Sequence, residues 1–281
     1  MTTIGLLHPG EMGASVGASA RANGSRVLWA SEGRGADTRR RAAAAGLEDA
    51  GTLRALVAAS DVVLSVCPPH AAREVARQVA GHGFRGVYVD GNAISPATAR
   101  ELDAIVRAAG ATYVDGGIIG PPPDRPGTTR LYLSGPHAQR VRPLFAAGPL
   151  EAVVLPGDLG AASAIKMAYA AWTKGSQALI MAVRALATAE GVDEALLAEW
   201  HRSQPELPRR SDNAARGTAR KAWRWVGEMD EIAASFAGAG LPDGFHRGAG
   251  EVYRRMASYK DAAAPPSMED VAKTLLRESG A

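Results

Sequence analysis

Five short apolar runs, each closed by a turn and the first four followed by a helix-forming stretch, occupy the first 115 residues, and they limit the fold more than any other feature. They are Thr3-Ile4-Gly5-Leu6-Leu7-His8, Arg26-Val27-Leu28-Trp29-Ala30, Asp61-Val62-Val63-Leu64-Ser65-Val66, Gly86-Val87-Tyr88-Val89-Asp90 and Ala111-Thr112-Tyr113-Val114-Asp115. Runs of this length without polar alternation read as strands buried on both faces, and strands that alternate with helices form a parallel sheet. The expected class is α/β, with a doubly wound, mostly parallel sheet. Two more strands are expected over 129–134 and 152–155, with a helix from about residue 136 between them. From Asp158 onward strand signals stop. Helices are expected over 158–190, 192–204, 220–238, 243–259 and 267–278, separated by Pro205, Pro208, Gly240-Leu241-Pro242 and Pro265-Pro266. This places a boundary between residues 1–157 and 158–281. Asp158 is the expected N-cap of the long helix, and Ser267 with Asp270 reads as a capping box. Trp223, Val226, Met229, Ile232 and Phe236 fall on one helical stripe, expected to be buried as core or dimer interface.

Composition excludes several classes. No stretch of about eighteen apolar residues is present, and Met1–Gly10 lacks the pattern of a signal peptide, so a cytoplasmic protein is expected, off the membrane. One cysteine, Cys67, leaves no pair for a disulfide. The six histidines are not spaced as metal ligands, and no metal site is expected. A net charge of +3 arises from 27 arginines and five lysines against 29 acids, spread along the chain. A nucleic-acid groove would gather its basic residues among aromatic platforms, so no nucleic-acid partner is expected.

The first strand ends in His8-Pro9-Gly10-Glu11-Met12-Gly13, a glycine-rich turn that opens a small-residue helix. Free N–H groups and the helix dipole at such a start suit a pyrophosphate. Gly10 lets the backbone approach the phosphates, and Gly13 and Gly17 let the helix lie on the sheet. His8 stands where the first glycine of G-x-G-x-x-G is usual. The second strand completes a βαβ unit, and after it come Ser31, Glu32 and Arg34, at the place of the adenosine ribose. Glu32 suits the 2′-hydroxyl of NAD; Ser31 and Arg34 suit the 2′-phosphate of NADP. Arg39 and Arg40 add positive potential, so NADP is favoured over NAD. Three further loops lie at strand ends, where such sheets bind ligands: Cys67-Pro68-Pro69, Gly91 to Pro96, and Gly116 to Pro123. Cys67 reads as a small buried residue before a nucleophile.

The long helix carries the chemistry. No lysine precedes Lys166, and Lys174 follows it two turns later on the same helix face. Arginine cannot release its proton, whereas a partly desolvated lysine exchanges one near neutral pH. A solvated lysine on a helix flank is the plainer reading of the helix alone. Tyr169 and Trp172 are expected pocket walls, with Tyr169 a second proton donor. His246, at the start of a helix, is a candidate acid-base group or a hydrogen-bonded structural histidine.

The segments HPGEMG, VCPP, DGNAISP, DGGIIGPPP and GAASAIKMAYAAWTKG, in this order, resemble the β-hydroxyacid dehydrogenase superfamily, which includes 3-hydroxyisobutyrate and 6-phosphogluconate dehydrogenases and, more distantly, imine reductases. The chain is most similar to NADP-binding members with 6-phosphogluconate-dehydrogenase-like folds and a C-terminal domain of their own. The resemblance implies a Rossmann domain, a long interdomain helix and an all-helical C-terminal domain that often completes a homodimer. It places Lys166 at the catalytic lysine, which trades a proton with the substrate oxygen while the nicotinamide exchanges hydride. It places Asn92 beside the cofactor, Ile94 and Ser95 toward the substrate, and Ile119 and Gly120 in the loop that holds a substrate carboxylate. Ala170 replaces the family's asparagine four residues after the lysine, and Ile119-Gly120-Pro121 replaces serine and two glycines. A less polar substrate, or recognition through Lys174 or Gln177, is therefore expected. The reading is an NADPH-dependent oxidoreductase acting on a small hydroxy or keto compound. The alternatives are reduction of a C=N bond and a non-catalytic NADP-binding regulator.

Overall fold

The computed structural model describes residues 1–276. The chain divides into two compact units, Met1–Met167 and the residues from Ala168 onward. In the first, the expected alternation is realised as β1 (Thr3–Leu7), α1 (Glu11–Ala22), β2 (Arg26–Trp29), α2 (Ala36–Ala44), β3 (Glu48–Asp49), α3 (Leu53–Ala59), β4 (Val62–Ser65), α4 (Ala72–Gly81), β5 (Val87–Asp90), α5 (Pro96–Ala108), β6 (Thr112–Ile119), β7 (Thr129–Ser134), α6 (Ala138–Val141) and β8 (Leu150–Val154). One sheet orders them β3-β2-β1-β4-β5-β6-β7-β8. Every pair is parallel except β6 with β7. This is the doubly wound Rossmann sheet, reversing direction at β1 and β4. Ile4, Leu6, Val16, Val27, Leu64, Val89 and Val114 pack on one side, and Leu7, Leu28, Val63, Tyr88, Leu102 and Tyr113 on the other. Both faces are thus covered, which is why the central strands are largely apolar.

The structure corrects the expected course in two places. β6 does not stop at Asp115 but runs on through Gly116, Gly117, Ile118 and Ile119, which pair with β7. Two glycines in sequence read as a loop, yet here each occupies a point where another backbone comes close. The two-residue β3 and the helix α3 had no signal in the sequence reading.

The long helix α7 (Ala161–Ala189) contributes its first turns to the first unit and the remainder to the second. The second unit continues with α8 (Asp193–Ser203), α9 (Leu207–Thr218), α10 (Ala222–Gly238), α11 (Gly244–Arg255) and α12 (Met268–Leu276). No expected helix covers α9, because Pro205 and Pro208 read as breaks. Pro208 lies in the first turn of α9, where a missing N–H costs nothing. Arg184 ties three helices: its guanidinium makes a two-pronged pair with Asp193 (2.6 and 2.8 Å) and donates to Ser211 Oγ at 2.9 Å. The capping box forms, with Ser267 N donating to Asp270 Oδ2 at 3.0 Å and Asp270 N to Ser267 Oγ at 3.1 Å. The last two positions of the helix expected over 267–278 lie outside the described residues. On α10 only Met229 and Ile232 of the expected stripe are buried. Trp223 is 40% exposed, under the Lys260 ammonium at 4.4 Å from the ring centre. Among the described residues no helix is long and apolar enough to cross a membrane, and no three His, Cys, Asp or Glu side chains gather as a metal site.

Candidate nucleotide and catalytic site

One row of the sheet organises the site. Leu7 pairs with Ser65, Ser65 with Asp90, Asp90 with Asp115 and Asp115 with Ser134. The four polar members have no exposed surface. Just beyond this row, in their own strands or the loops that follow, come His8, Cys67, Asn92 and Gly117.

At β1 the chain turns at His8 and enters α1 with Gly10 as the N-cap, with no side chain capping it. The N–H groups of the first helical turn therefore keep no intrahelical partner, as at any helix start. A Cβ on Gly13 would overlap the His8 carbonyl oxygen, whereas one on Gly10 meets no protein atom within 4 Å. Gly13 is thus needed for the turn itself, and Gly10 keeps the outer approach clear. A Cβ on Gly17 would stand 3.0 Å from Leu6 and Leu47, so this glycine seats α1 on the sheet. Uncapped donors with a clear approach fit a pyrophosphate. Pro9 is buried, Met12 is half-buried and Glu11 is exposed. His8 has φ +67°, the only described non-glycine residue in the left-handed region. Burial first, then the Arg34 charge, pull its imidazole down to about 4, and its Nδ1 has no hydrogen-bond partner.

Past β2, Ser31 is buried and its hydroxyl donates to Asp49, lowering the carboxyl of that residue. Asp49 had no place in the sequence reading, because two residues of strand leave no pattern. Arg39 donates to the carbonyls of Ser31 (2.9 Å) and Arg34 (3.2 Å), Arg40 pairs with Asp37, and Arg41 reaches the Pro9 carbonyl at 3.4 Å. Arg34 is half-buried, and among the described residues its guanidinium has no hydrogen bond or ion pair.

At the ends of β4 and β5, Asn92 fastens two loops together. Its Oδ1 accepts the Cys67 N–H at 2.5 Å, and its Nδ2 donates to Asp90 Oδ2 at 2.7 Å and Ser65 Oγ at 3.2 Å. Both amide hydrogens are therefore used within the protein, as is the Cys67 N–H. Burial pushes the Cys67 thiol up to about 12, which makes it a packing residue at neutral pH. Pro68 is exposed and Pro69, buried, opens a 3-10 turn. Ile94 is wholly buried, and Ser95 caps α5 by accepting from Thr98 N at 3.2 Å. Both serve the scaffold of the loop in this structure.

At β6 the Asp115 carboxylate receives the start of α7. It accepts from Gly160 N (3.1 Å), Ser163 N (3.0 Å), Ser163 Oγ (2.6 Å) and Ser134 Oγ (2.8 Å), while Ala162 N donates to Ser134 Oγ at 3.0 Å. The expected cap, Asp158, lies outside the helix, which starts at Ala161. Asp115, from a strand 48 residues back in sequence, does the capping instead. One turn later Lys166 lies against Gly117: a Cβ there would overlap the Ala162 carbonyl oxygen and come 2.9 Å from Lys166 Cβ. The second glycine of β6 therefore sets how near Lys166 stands to the sheet. Ile119 closes the strand and Gly120, at φ +130°, turns the chain beside Thr128 and Thr129.

In the helical unit Tyr169 and Trp172 are 51% and 68% exposed. Lys174 is held by Glu228, stands 5.2 Å over the Trp225 ring, and gives its carbonyl to the Tyr253 hydroxyl at 2.6 Å. His246 is 5% exposed, with ring centres of Phe236 at 4.2 Å and Phe245 at 5.1 Å, and it packs beside Gly175. Burial lowers its pKa, and its Nδ1 has no partner.

The NAD binding domain of 6-phosphogluconate dehydrogenase matches residues 2–147, the span of the sheet and its nucleotide turn. The chain belongs to that family. A domain of unknown function, DUF1932, matches residues 187–256 in the helical unit. An uncharacterised 28.5 kDa protein of Methanothermus fervidus is 30% identical over 167 residues, 59% of this chain and 63% of that one, so the chain spans under two thirds of this relative. The fold is that of Mycobacterium tuberculosis 3-hydroxyisobutyrate dehydrogenase, solved with L-serine, at TM-score 0.68 and 20% identity over 99% of this chain and all of the other. It is shared with the Streptomyces aurantiacus imine reductase at TM-score 0.53 and 20% identity, over 98% and 100%. The structural neighbours of this NAD-binding domain are thus dehydrogenases and reductases.

Proposed function

We propose that the protein is an NADPH-dependent oxidoreductase that exchanges hydride between the nicotinamide and a small hydroxy or keto compound, with Lys166 as the general acid-base group. The observation that carries this is the placing of Lys166 by Asp115 and Gly117, at the sheet end that also bears the glycine-rich turn and Asn92. The α1 N–H groups hold the pyrophosphate and the Ser31–Arg34 segment faces the ribose. When bound, the cofactor supplies or receives the hydride. Lys166 gives a proton to the carbonyl oxygen in reduction and takes one from the hydroxyl in oxidation. Ile119 and the buried Ala170 make the surroundings poor in hydrogen-bond donors, which favours a substrate with little polar surface beyond the reacting oxygen. Tyr169, one turn after Lys166 on the same helix, is the second proton donor in this proposal, and the helical unit supplies the pairing to a second copy. The exposed apolar residues Tyr169, Trp172, Leu179 and Leu186 recur at helical spacing on α7 and support a homodimer.

The test is NADPH oxidation with a panel of keto compounds beside wild type and Lys166→Ala. A fall of about 10²–10⁴-fold in turnover with unchanged NADPH affinity is expected. Near-normal turnover in the variant would end the assignment. A second reading, reduction of C=N bonds, draws support from the apolar Ile118 and Ile119 and from the shared imine-reductase fold. NADPH consumption with cyclic imines but no keto compound would select it.

A further inference from the structure

In the helical unit, residues 207–224 carry six cationic side chains, Arg209, Arg210, Arg216, Arg220, Lys221 and Arg224, and one acid, Asp212. Like charges at helical spacing repel, so the segment bears this excess at a cost. Part of it borders a cleft of about 460 Å³, walled by α9 and by His201 of α8, with Arg184 of α7 also lining it. Arg209, Asn213 and Arg216 recur at i, i+4 and i+7, so one face of α9 makes its wall. Arg184 is spent: Asp193 and Ser211 take its donors, and Asp212 stands 3.8 Å away. Arg209 pairs with Glu206 at 2.6 Å, but the two side chains are 74% and 77% exposed, and a pair of that kind contributes about 0–1 kcal/mol. Arg216 and Asn213 have no hydrogen bond or ion pair among the described residues. His201, Arg209, Asn213 and Arg216 are all exposed, hence open to a ligand. Arg220 gives a hydrogen bond to the Ala263 carbonyl, which leaves its charge uncompensated beside Arg216.

We propose that this cleft binds a small dianion, a phosphate monoester or a dicarboxylate, with Arg216 and Arg209 pairing with its oxygens and Asn213 donating a further hydrogen bond. The site lies outside the nucleotide and hydride chemistry proposed above and does not depend on it. A concave wall of one sign concentrates its field on the space it encloses, and guanidinium groups match carboxylate and phosphate oxygens two at a time. Two guanidiniums are available here against one acid, Asp212, so the ligand that balances them carries two charges. Seven residues of helix separate the two Cα atoms by about 10 Å along the axis, a span that two long side chains close on an ion held over Asn213. A dianion bound there also relieves the repulsion among Arg209, Arg216 and Arg220. His201 forms the facing wall, its ring fixed by the Nδ1–H bond to the Leu197 carbonyl at 2.7 Å.

The experiment is calorimetric titration of the full chain at pH 7.5 with inorganic phosphate, malonate and acetate, for wild type, Arg216→Gln, Asn213→Ala, Asp212→Asn and Arg224→Gln. Each substituted side chain is exposed, so the variants keep the fold, and their thermal midpoints check it. Wild type is expected to bind a dianion saturably and acetate at least about tenfold more weakly, because acetate has one charge for two guanidiniums. Arg216→Gln is expected to weaken the dianion about tenfold, and Asn213→Ala about threefold. Asp212→Asn removes the one acid of the wall and is expected to tighten binding about threefold. Arg224→Gln, on the same basic segment but outside the cleft, is expected to change binding by less than about twofold. Phosphate above malonate identifies the ligand as a phosphate monoester, and the reverse order identifies a dicarboxylate. Absence of saturable binding by either dianion overturns the proposal, as does acetate binding as tightly as they do. Equal weakening in Arg216→Gln and Arg224→Gln also overturns it, by assigning the binding to the diffuse charge of the segment. Binding that survives Arg216→Gln unchanged, as an ion at the start of α1 would, overturns it as well.

Discussion

Two clusters of polar groups at the same end of the sheet differ in one respect: the cluster at Asp115 is complete and the cluster at His8 is not. Asp115 accepts four hydrogen bonds, and the Ser134 hydroxyl both gives one and receives one. At His8 a buried ring nitrogen has no hydrogen-bond partner, and the residue holds a left-handed backbone. A buried network whose members are all satisfied fixes geometry, and it has no capacity left for a ligand. One with a buried polar atom left over holds its geometry at a cost. The Asn92 fastening belongs with Asp115, and the start of α1 belongs with His8. The contrast separates the residues that place the site from those at the turn proposed to meet the nucleotide.

The largest effect expected is on the complete side. Asp115→Ala leaves two backbone N–H groups and two hydroxyls without their acceptor, and urea unfolding is expected to show a loss of about 3–5 kcal/mol. A loss below about 1 kcal/mol would mean that the joint does not hold α7, and the contrast would fail on that side.

Next comes the acid response of His8. The unfolded residue titrates near 6.5 and the folded one at about 4. Above pH 6.5 both states are neutral; between 6.5 and 4 only the unfolded state takes the proton. Stability is therefore lost as pH falls through this window, by about 2–3 kcal/mol after allowance for partial exposure. The difference in urea midpoint between wild type and His8→Gly across pH 7 to 4 isolates this contribution. A difference that stays flat would show a ring open to solvent.

Gly117→Ala is expected to cost about 1–3 kcal/mol, because its Cβ has the Ala162 carbonyl in its way, and to lower turnover by moving Lys166. Unchanged turnover in a folded variant would separate the spacing of α7 from the chemistry proposed for it.

The sequence showed one side of this contrast far better than the other. His8, Gly10, Gly13, Arg34 and Lys166 were legible because a turn signature and an unusual lysine are local. Asp90 and Asp115 read only as acids at strand ends, and nothing nearby tells that they are buried, since the partners of Asp115 lie up to 48 residues away. Gly116 and Gly117 looked like a loop for the same reason: the carbonyls of Asp90 and Ala162 that require them are distant in sequence. Asp49 was hidden by a two-residue strand, and α9 by a proline that a first helical turn accepts. Trp223 was assigned to a buried stripe by spacing alone, but a lysine ammonium covers its ring instead of a hydrophobic core.

The smallest effect is also the one that tests the contrast most directly. His8→Gly relieves a left-handed conformation that costs a side chain about 1–2 kcal/mol, and it gives back about 0.5–1 kcal/mol through the freer unfolded chain. The net at pH 7 is a gain of roughly 0–1 kcal/mol, read as a thermal midpoint equal to or slightly above that of wild type. A gain in stability would show that the left-handed turn costs the fold more than the ring returns by packing. Were the variant instead less stable by more than about 1 kcal/mol, the ring would be packing the turn, and His8 would join Asp115 among the groups that only position the site.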